Sequence, residues 1–173
     1  MNRLGFISAN NFTEPYPVYP IGVSYLLTYL NANLPDCECS LFDFNLDGDY
    51  EAMKRWCVEG RYDAIAISLR NIDDNNLFSE NCFVTHYERI IKALREVTDV
   101  KIVVGGPGFS IFPELLFERL GVDYGIQGEG EESLCLLLSD IFSGKDPSSV
   151  EGLVYRAGDG KTPLMRFFPY APR

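Results

Sequence analysis

Lys101-Ile-Val-Val-Gly-Gly-Pro-Gly108 is the stretch on which the fold turns. A short apolar run stopped by two glycines and a proline reads as a strand buried on both faces, ending where the sheet opens to a ligand or a turn. Upstream, Ala64-Ile-Ala-Ile67 repeats the pattern inside a strand expected over 62–69, and Leu4-Gly-Phe-Ile-Ser8 opens the series. Further strands are expected at 39–44 and 122–126. Between the strands, apolar residues recur at helical spacing: Val23, Leu26, Leu27 and Leu30 within 21–34, and Met53, Trp56 and Cys57 within 49–59. The pattern returns as Ile90, Ile91 and Leu94 within 83–97, and as Leu134, Leu136, Leu137 and Leu138 within 131–142, with a short helix at 113–120. Strands alternating with helices predict an α/β fold with a parallel sheet, five β–α units in residues 1–144. Residues 145–173 read as an extension without a core of its own: a linker, a small hairpin from 152–155 and 164–167 around Asp159-Gly160, then the extended Pro169-Tyr-Ala-Pro172.

Composition bounds the class. The 173 residues carry 15 basic and 25 acidic side chains, a formal charge of −10, with 46% hydrophobic and 23% charged residues. These values match an ordinary globular protein and exclude disordered, collagenous and low-complexity classes. A chain of this length buries roughly 70% of its unfolded surface and needs no disulfide or structural metal. Acidity without a basic cluster argues against nucleic acid as a partner. No apolar run approaches a membrane span, and Met1-Asn-Arg leads directly into a strand, so the expectation is a cytoplasmic chain away from membranes. Cys37, Cys39, Cys57, Cys82 and Cys135 are scattered and expected to be reduced. Cys37-Glu-Cys39, the one close pair, is expected to point its thiols apart rather than clip a metal.

In a parallel sheet of this kind, ligands bind beyond the carboxyl ends of the strands. The loops there hold Asn10 to Gly22, Ser68-Leu-Arg-Asn-Ile-Asp73, Gly105-Gly-Pro-Gly-Phe-Ser110 and Gln127-Gly-Glu-Gly-Glu131. The glycine pair serves a tight turn and close backbone approach by a ligand equally well. Gly128-Glu-Gly-Glu131 opens a helix, where free N–H groups bind acceptors or acidic side chains simply favour the helix start. Dinucleotide, P-loop and nucleophile-elbow patterns are absent. Acids are missing after the first strand, as is a flavodoxin-type phosphate loop. His86 is the single histidine and is expected within a helix away from the strand ends, which excludes a histidine-dependent triad or two-histidine metal site. No catalytic residue and no metal ligand is assigned.

In combination the loops resemble one family. Pro17-x-x-Pro20-x-Gly22-x-x-x-Leu26, Asp43-x-Asn45, Ile67-Ser-Leu-Arg70, Val103-Val-Gly-Gly106 and Asp123-Tyr-Gly-Ile-x-Gly-Glu-Gly-Glu131 are together similar to the N-terminal cobalamin-binding domain of cobalamin-dependent radical-SAM enzymes. The resemblance implies a flavodoxin-like (Rossmann-like) three-layer sandwich with a five-stranded sheet in the order 2-1-3-4-5. It implies cobalamin contacts at Tyr19, Pro20, Ser68, Leu69, Arg70, Gly105, Gly106, Pro107, Gly128, Glu129 and Gly130. It also implies a radical-SAM partner domain, a methyltransferase by preference, in the same parent chain.

Two departures from the family matter. Histidine-ligated cobalamin domains carry Asp-x-His-x-x-Gly after the first strand, whereas this chain has Asn10-Asn-Phe-Thr-Glu-Pro-Tyr16, so a lower face without a protein imidazole is expected. The cysteines lack the Cys-x3-Cys-x2-Cys spacing of a 4Fe-4S cluster, so cluster and S-adenosylmethionine are expected only in a C-terminal domain that is absent here. The alternative reading is a degenerate, non-catalytic α/β domain that serves assembly or partner docking without a cofactor.

Overall fold

The structure is a computed structural model that describes residues 1–13, 15–72 and 83–156 fully, and the backbone of 163–165. In chain order the elements are β1 (Asn2–Ser8), α1 (Ile21–Asn33), β2 (Cys37–Asp43), α2 (Tyr50–Gly60), β3 (Ala64–Ser68), α3 (Phe83–Arg95) and β4 (Lys101–Gly105). They continue with α4 (Pro107–Ile111), α5 (Pro113–Leu120), β5 (Tyr124–Ile126), α6 (Glu131–Ser143), β6 (Leu153–Arg156) and β7 (Pro163–Met165). The strands form one sheet in the order β2-β1-β3-β4-β5-β6-β7. The first five are parallel in the expected order, and β6 and β7 are antiparallel.

The count of five strands is therefore corrected to seven. β5 would otherwise leave its outer edge unpaired, and such an edge is a template for unwanted pairing. Instead Leu153–Arg156 pairs with it, and Leu153 and Val154 are fully buried on opposite faces of the sheet. Val150 is buried too. The tail thus shares the core of the main sheet. The expected turn at Asp159-Gly160 and the segment from Arg166 onward lie outside the described residues.

Strand alternation sorts the core into two layers. Leu4, Phe6, Ala64, Ala66, Val103 and Ile126 face Val23 and Leu30 of α1 and Leu134, Leu137 and Leu138 of α6. Ile7, Ile65, Ile67, Ile102 and Val104 face α2, α3 and α5 through Met53, Ile90, Leu94 and Phe117. Leu136, expected in the core stripe, is 50% exposed, because one helical face holds positions 134, 137 and 138 and turns 136 outward.

Local chemistry sets the element ends. Asp49 caps α2 by accepting from the N–H groups of Glu51 and Ala52, each at 3.0 Å, an interaction worth about 1 kcal/mol. Asp123 accepts from Arg95 Nη2 at 2.5 Å, Lys101 Nζ at 2.9 Å and the Ile102 N–H at 2.9 Å. Burial opposes its ionisation, but these donors hold the carboxyl below the usual range. Asp123 therefore staples the starts of β4 and β5 to α3, at the sheet edge opposite the strand carboxyl ends.

The cysteine expectation is also corrected. Residues two apart on a strand share a face, and Cys37 and Cys39 of β2 belong to the same hydrophobic layer. Hydrogen bonding between the two thiols raises Cys37 and lowers Cys39. Among the described residues no group of three or more metal-ligating side chains assembles, and no helix is long and apolar enough to cross a membrane.

Candidate functional site

A cleft of about 200 Å³ opens at the carboxyl edge of the sheet, between α1 and α6. Its floor is Phe6, Ala66, Ser68, Val103, Gly105 and Ile126; its walls are Gly22 and Leu26 on one side and Gly128 to Glu131 with Leu134 on the other. The lining is mostly apolar with a few polar groups, the usual chemistry of a small-molecule site. Register explains why these positions meet: Ser8 pairs with Ser68, and Ser68 pairs with Gly105, so one row of small residues crosses the sheet edge.

Of the eleven residues picked from sequence, Ser68, Gly105, Gly106, Pro107, Gly128, Glu129 and Gly130 line this cleft. Leu69 does not. Its side chain is buried in the opposite layer, its N–H donates to Gly105 O at 2.8 Å, and its carbonyl accepts from the Gly108 N–H at 2.8 Å. Arg70 is exposed beyond the strand end. Tyr19 is 69% exposed, its hydroxyl accepting from Ser24 Oγ at 2.7 Å, and Pro20 stands at the start of α1. Both sit on the same sheet edge outside the cleft.

The glycine pair divides its labour. Gly105 is the last residue of β4 and is not among the positive-φ residues. Gly106 has φ +97° and ψ 176°, a conformation open essentially to glycine alone. A Cβ there would lie 2.8 Å from Leu69 O and 3.1 Å from Ser68 Oγ. Close backbone approach at Gly106 is thus first to the neighbouring β3 strand, and the loop holds its shape before any ligand arrives. Ser110 completes that loop: its hydroxyl donates to Gly106 O at 3.0 Å and accepts from the Gly128 N–H at 2.9 Å, joining the loops after β4 and β5.

Sequence reasoning missed Phe6, Ala66, Val103, Ile126 and Leu134, used Leu26 only as a motif position, and placed Ser110 and Gly22 in strand-end loops without assigning either to the site. A signal for the floor was present. Stepping two residues back from Ser8, Ser68 and Gly105 gives Phe6, Ala66 and Val103, the next positions on the same face. Ser110 was legible only as the end of its loop, because its role depends on a short helix, α4, turning it toward the loop after β5.

His86 needs a further correction. It is 8% exposed, with Nδ1 2.6 Å from the Tyr50 hydroxyl and Nε2 3.0 Å from the Ala9 carbonyl. Helices after parallel strands start at the carboxyl edge, so the first turn of α3 brings His86 to the residue following β1. A carbonyl only accepts, hence Nε2 carries the hydrogen and Nδ1 accepts from Tyr50: a neutral ring with both nitrogens engaged. Burial pushes its pKa down to about 4 against the Ala9 hydrogen bond, which raises it. An unfolded histidine protonates near 6.5, so stability is full above about pH 6.5 and falls as pH drops, by about 3 kcal/mol at pH 4. In urea unfolding, wild type is expected to lose its advantage over His86→Ala between pH 7 and 4; a pH-independent difference would show that the ring does not titrate this way.

A flavodoxin-like sheet with a mostly apolar cleft at its carboxyl edge is the architecture of a small-molecule-binding domain. The B12 binding domain family matches residues 8–138, and the chain belongs to that family. The cofactor of that class is cobalamin. The chain is 28% identical over 163 residues to tryptophan 2-C-methyltransferase of Streptomyces laurentii, covering 92% of this chain and 27% of that protein. Over 79 residues, 43% of this chain and 14% of that protein, it is 34% identical to the anaerobic magnesium-protoporphyrin IX monomethyl ester cyclase of Rubrivivax gelatinosus. The structure of the radical S-adenosylmethionine methyltransferase TsrM of Kitasatospora setae, with cobalamin and a 4Fe-4S cluster bound, superimposes with a TM-score of 0.87 at 26% identity, covering 100% of this chain and 30% of that one. OxsB, a cobalamin-dependent S-adenosylmethionine radical enzyme with aqua-cobalamin bound, gives 0.76 at 18% identity, over 99% of this chain and 23% of that one, and shares the fold. The chain thus spans under a third of the length of each of these proteins.

Proposed function

We propose that this chain is the cobalamin-holding module of a larger radical-SAM methyltransferase, and that it holds the cofactor without a protein imidazole on the lower face. The observation that carries the reading is the open cleft at the strand ends. A Cβ added at Gly22, on its wall, would meet no heavy atom within 4 Å, so the space beside α1 is free for a ligand. The degenerate-domain alternative calls for bulky side chains filling the groove beside Ser68 and Gly105, and the open cleft weighs against it.

The residues present fit the group. Gly22, Leu26 and Leu134 would flank an elongated, partly apolar tail, Ser68 would offer it a hydroxyl, and the loops at Gly106 and Gly128, joined through Ser110, would border the macrocycle. When bound, cobalamin supplies a cobalt centre able to carry a methyl group between a donor and an acceptor. His86 supports the unligated lower face, since both its ring nitrogens are already engaged within the fold. Residues 1–144 would form the cofactor domain, with β6 closing the sheet edge beside β5 and 145–173 leading toward a catalytic domain that binds the cluster and S-adenosylmethionine.

Mixing the purified chain with hydroxocobalamin and desalting tests the first part: the protein fraction is expected to retain the corrin absorption band. A colourless fraction over a concentration series overturns it. The second part is read from the coding sequence downstream of Arg173, where Cys-x3-Cys-x2-Cys is expected and its absence would remove the radical-SAM assignment.

A further inference from the structure

Two asparagines at the carboxyl edge carry amide atoms that the described residues leave unpaired. Asn10 lies two residues past β1, is 7% exposed, and its Nδ2 has no hydrogen-bond partner. Asn45 lies two residues past β2, and its buried Nδ2 and Oδ1 both lack partners. Ser8 and Asp43, the last residues of these strands, are register partners, and pairing continues one step further through the Phe44 N–H to Ser8 O at 3.2 Å. The two asparagines therefore leave the sheet from adjacent strands, and the row below them runs on through Ser68 and Gly105 into the cleft.

Among the described residues, the local fold gives these unpaired amide atoms no use. The turn after β2 is held by the Asn45 backbone N–H, which donates to Asp43 Oδ1 at 3.1 Å, and by the Asp47 N–H donating to Asp43 O at 2.8 Å. Any residue with an N–H could stand there. Leaving buried amide atoms unpaired carries a desolvation penalty for each, while an apolar side chain of similar shape would avoid it. Buried, unpaired amide atoms of this kind point to a partner supplied from outside the fold.

The donor and acceptor pattern specifies that partner. Two donors and one acceptor are on offer, and a primary carboxamide, with its own C=O and NH2, can answer both kinds. A carboxylate would satisfy the donors and leave Asn45 Oδ1 facing another acceptor. The rim of the corrin macrocycle is set with acetamide and propionamide side chains. We propose that Asn10 and Asn45 form a carboxamide-recognition pair that binds a peripheral amide of the corrin ring and fixes the ring's rotation above the strand ends. The inference rests on the reading of this chain as a cobalamin module.

Hydroxocobalamin and dicyanocobinamide, which keeps the ring amides and lacks the nucleotide tail, serve as probes. Asn45→Leu is expected to weaken both by about thirtyfold and Asn10→Leu by about fivefold, for two hydrogen bonds and one. Asn45→Ser, which adds no bulk, should lose affinity comparably. The apo Asn45→Leu chain should melt no lower than wild type, because both amide atoms of Asn45 are unpaired and no paired polar group is removed. Wild-type affinity in all variants overturns this inference alone. Loss for cobalamin without loss for cobinamide assigns the contact to the tail and overturns it, as do lowered apo melting temperatures that account for the affinity change. A wild-type chain that binds neither probe overturns the cobalamin reading and this inference with it.

Discussion

Gly22→Leu is expected to lower the affinity for hydroxocobalamin by roughly a hundredfold while the apo chain melts no lower than wild type. Gly22 is the second residue of α1 and lines the cleft, and an added Cβ there would have no heavy atom within 4 Å. A leucine side chain starts from open space at its Cβ and extends into the ligand's space. Within a helix the change also removes glycine's excess chain entropy, a gain of about 0.5–1 kcal/mol. Blocked binding and an undiminished melting temperature is a pairing that general damage to the fold does not produce. Unchanged affinity would mean that the tail does not run past α1, and a clear fall in melting temperature would mean that the wall is less open than the geometry indicates.

The opposite pairing is expected at Gly106. Gly106→Val should destabilise the apo chain by about 4 kcal/mol, combining a backbone conformation closed to side-chain-bearing residues with a collision. The Cβ would fall 2.8 Å from Leu69 O, and that carbonyl cannot retreat because it accepts from the Gly108 N–H at 2.8 Å. The expected fall in melting temperature is about 10 °C, measured by thermal denaturation without ligand. A variant that melts like wild type would show that the loop after β4 shifts at little cost. Gly22 and Gly106 line the same cleft, yet one shapes the room for the ligand and the other the loop that borders it.

Much of this was legible in the linear order of residues. Apolar runs such as Ala64–Ile67 and Ile102–Val104 are short, β-rich and bounded by polar or glycine turns, so their assignment to a parallel sheet needs only periodicity. The strand-end loops were legible for the same reason: whatever follows a strand of a parallel sheet emerges at its carboxyl edge. That placed Ser68, Gly105, Gly106 and Gly128 near one another before any coordinate was known. The missing histidine after β1 could likewise be read directly.

What periodicity cannot supply is the pairing between segments distant in the chain. β6 joined the sheet because β5 had an open edge, a property of the assembled sheet that residues 153–156 do not carry. Leu69 and Ser68 are neighbours in sequence, yet alternation across the sheet sends one into the far layer and the other into the cleft. His86 reached the end of β1 only through the direction in which α3 runs. Asn10 and Asn45 are 35 positions apart, and strand register brings them to adjacent ends of one sheet edge. Fold class and edge chemistry are local properties of the chain. Which side chains face the cleft, and which are left with unpaired atoms, is decided by register and layer, which exist only once the strands have paired.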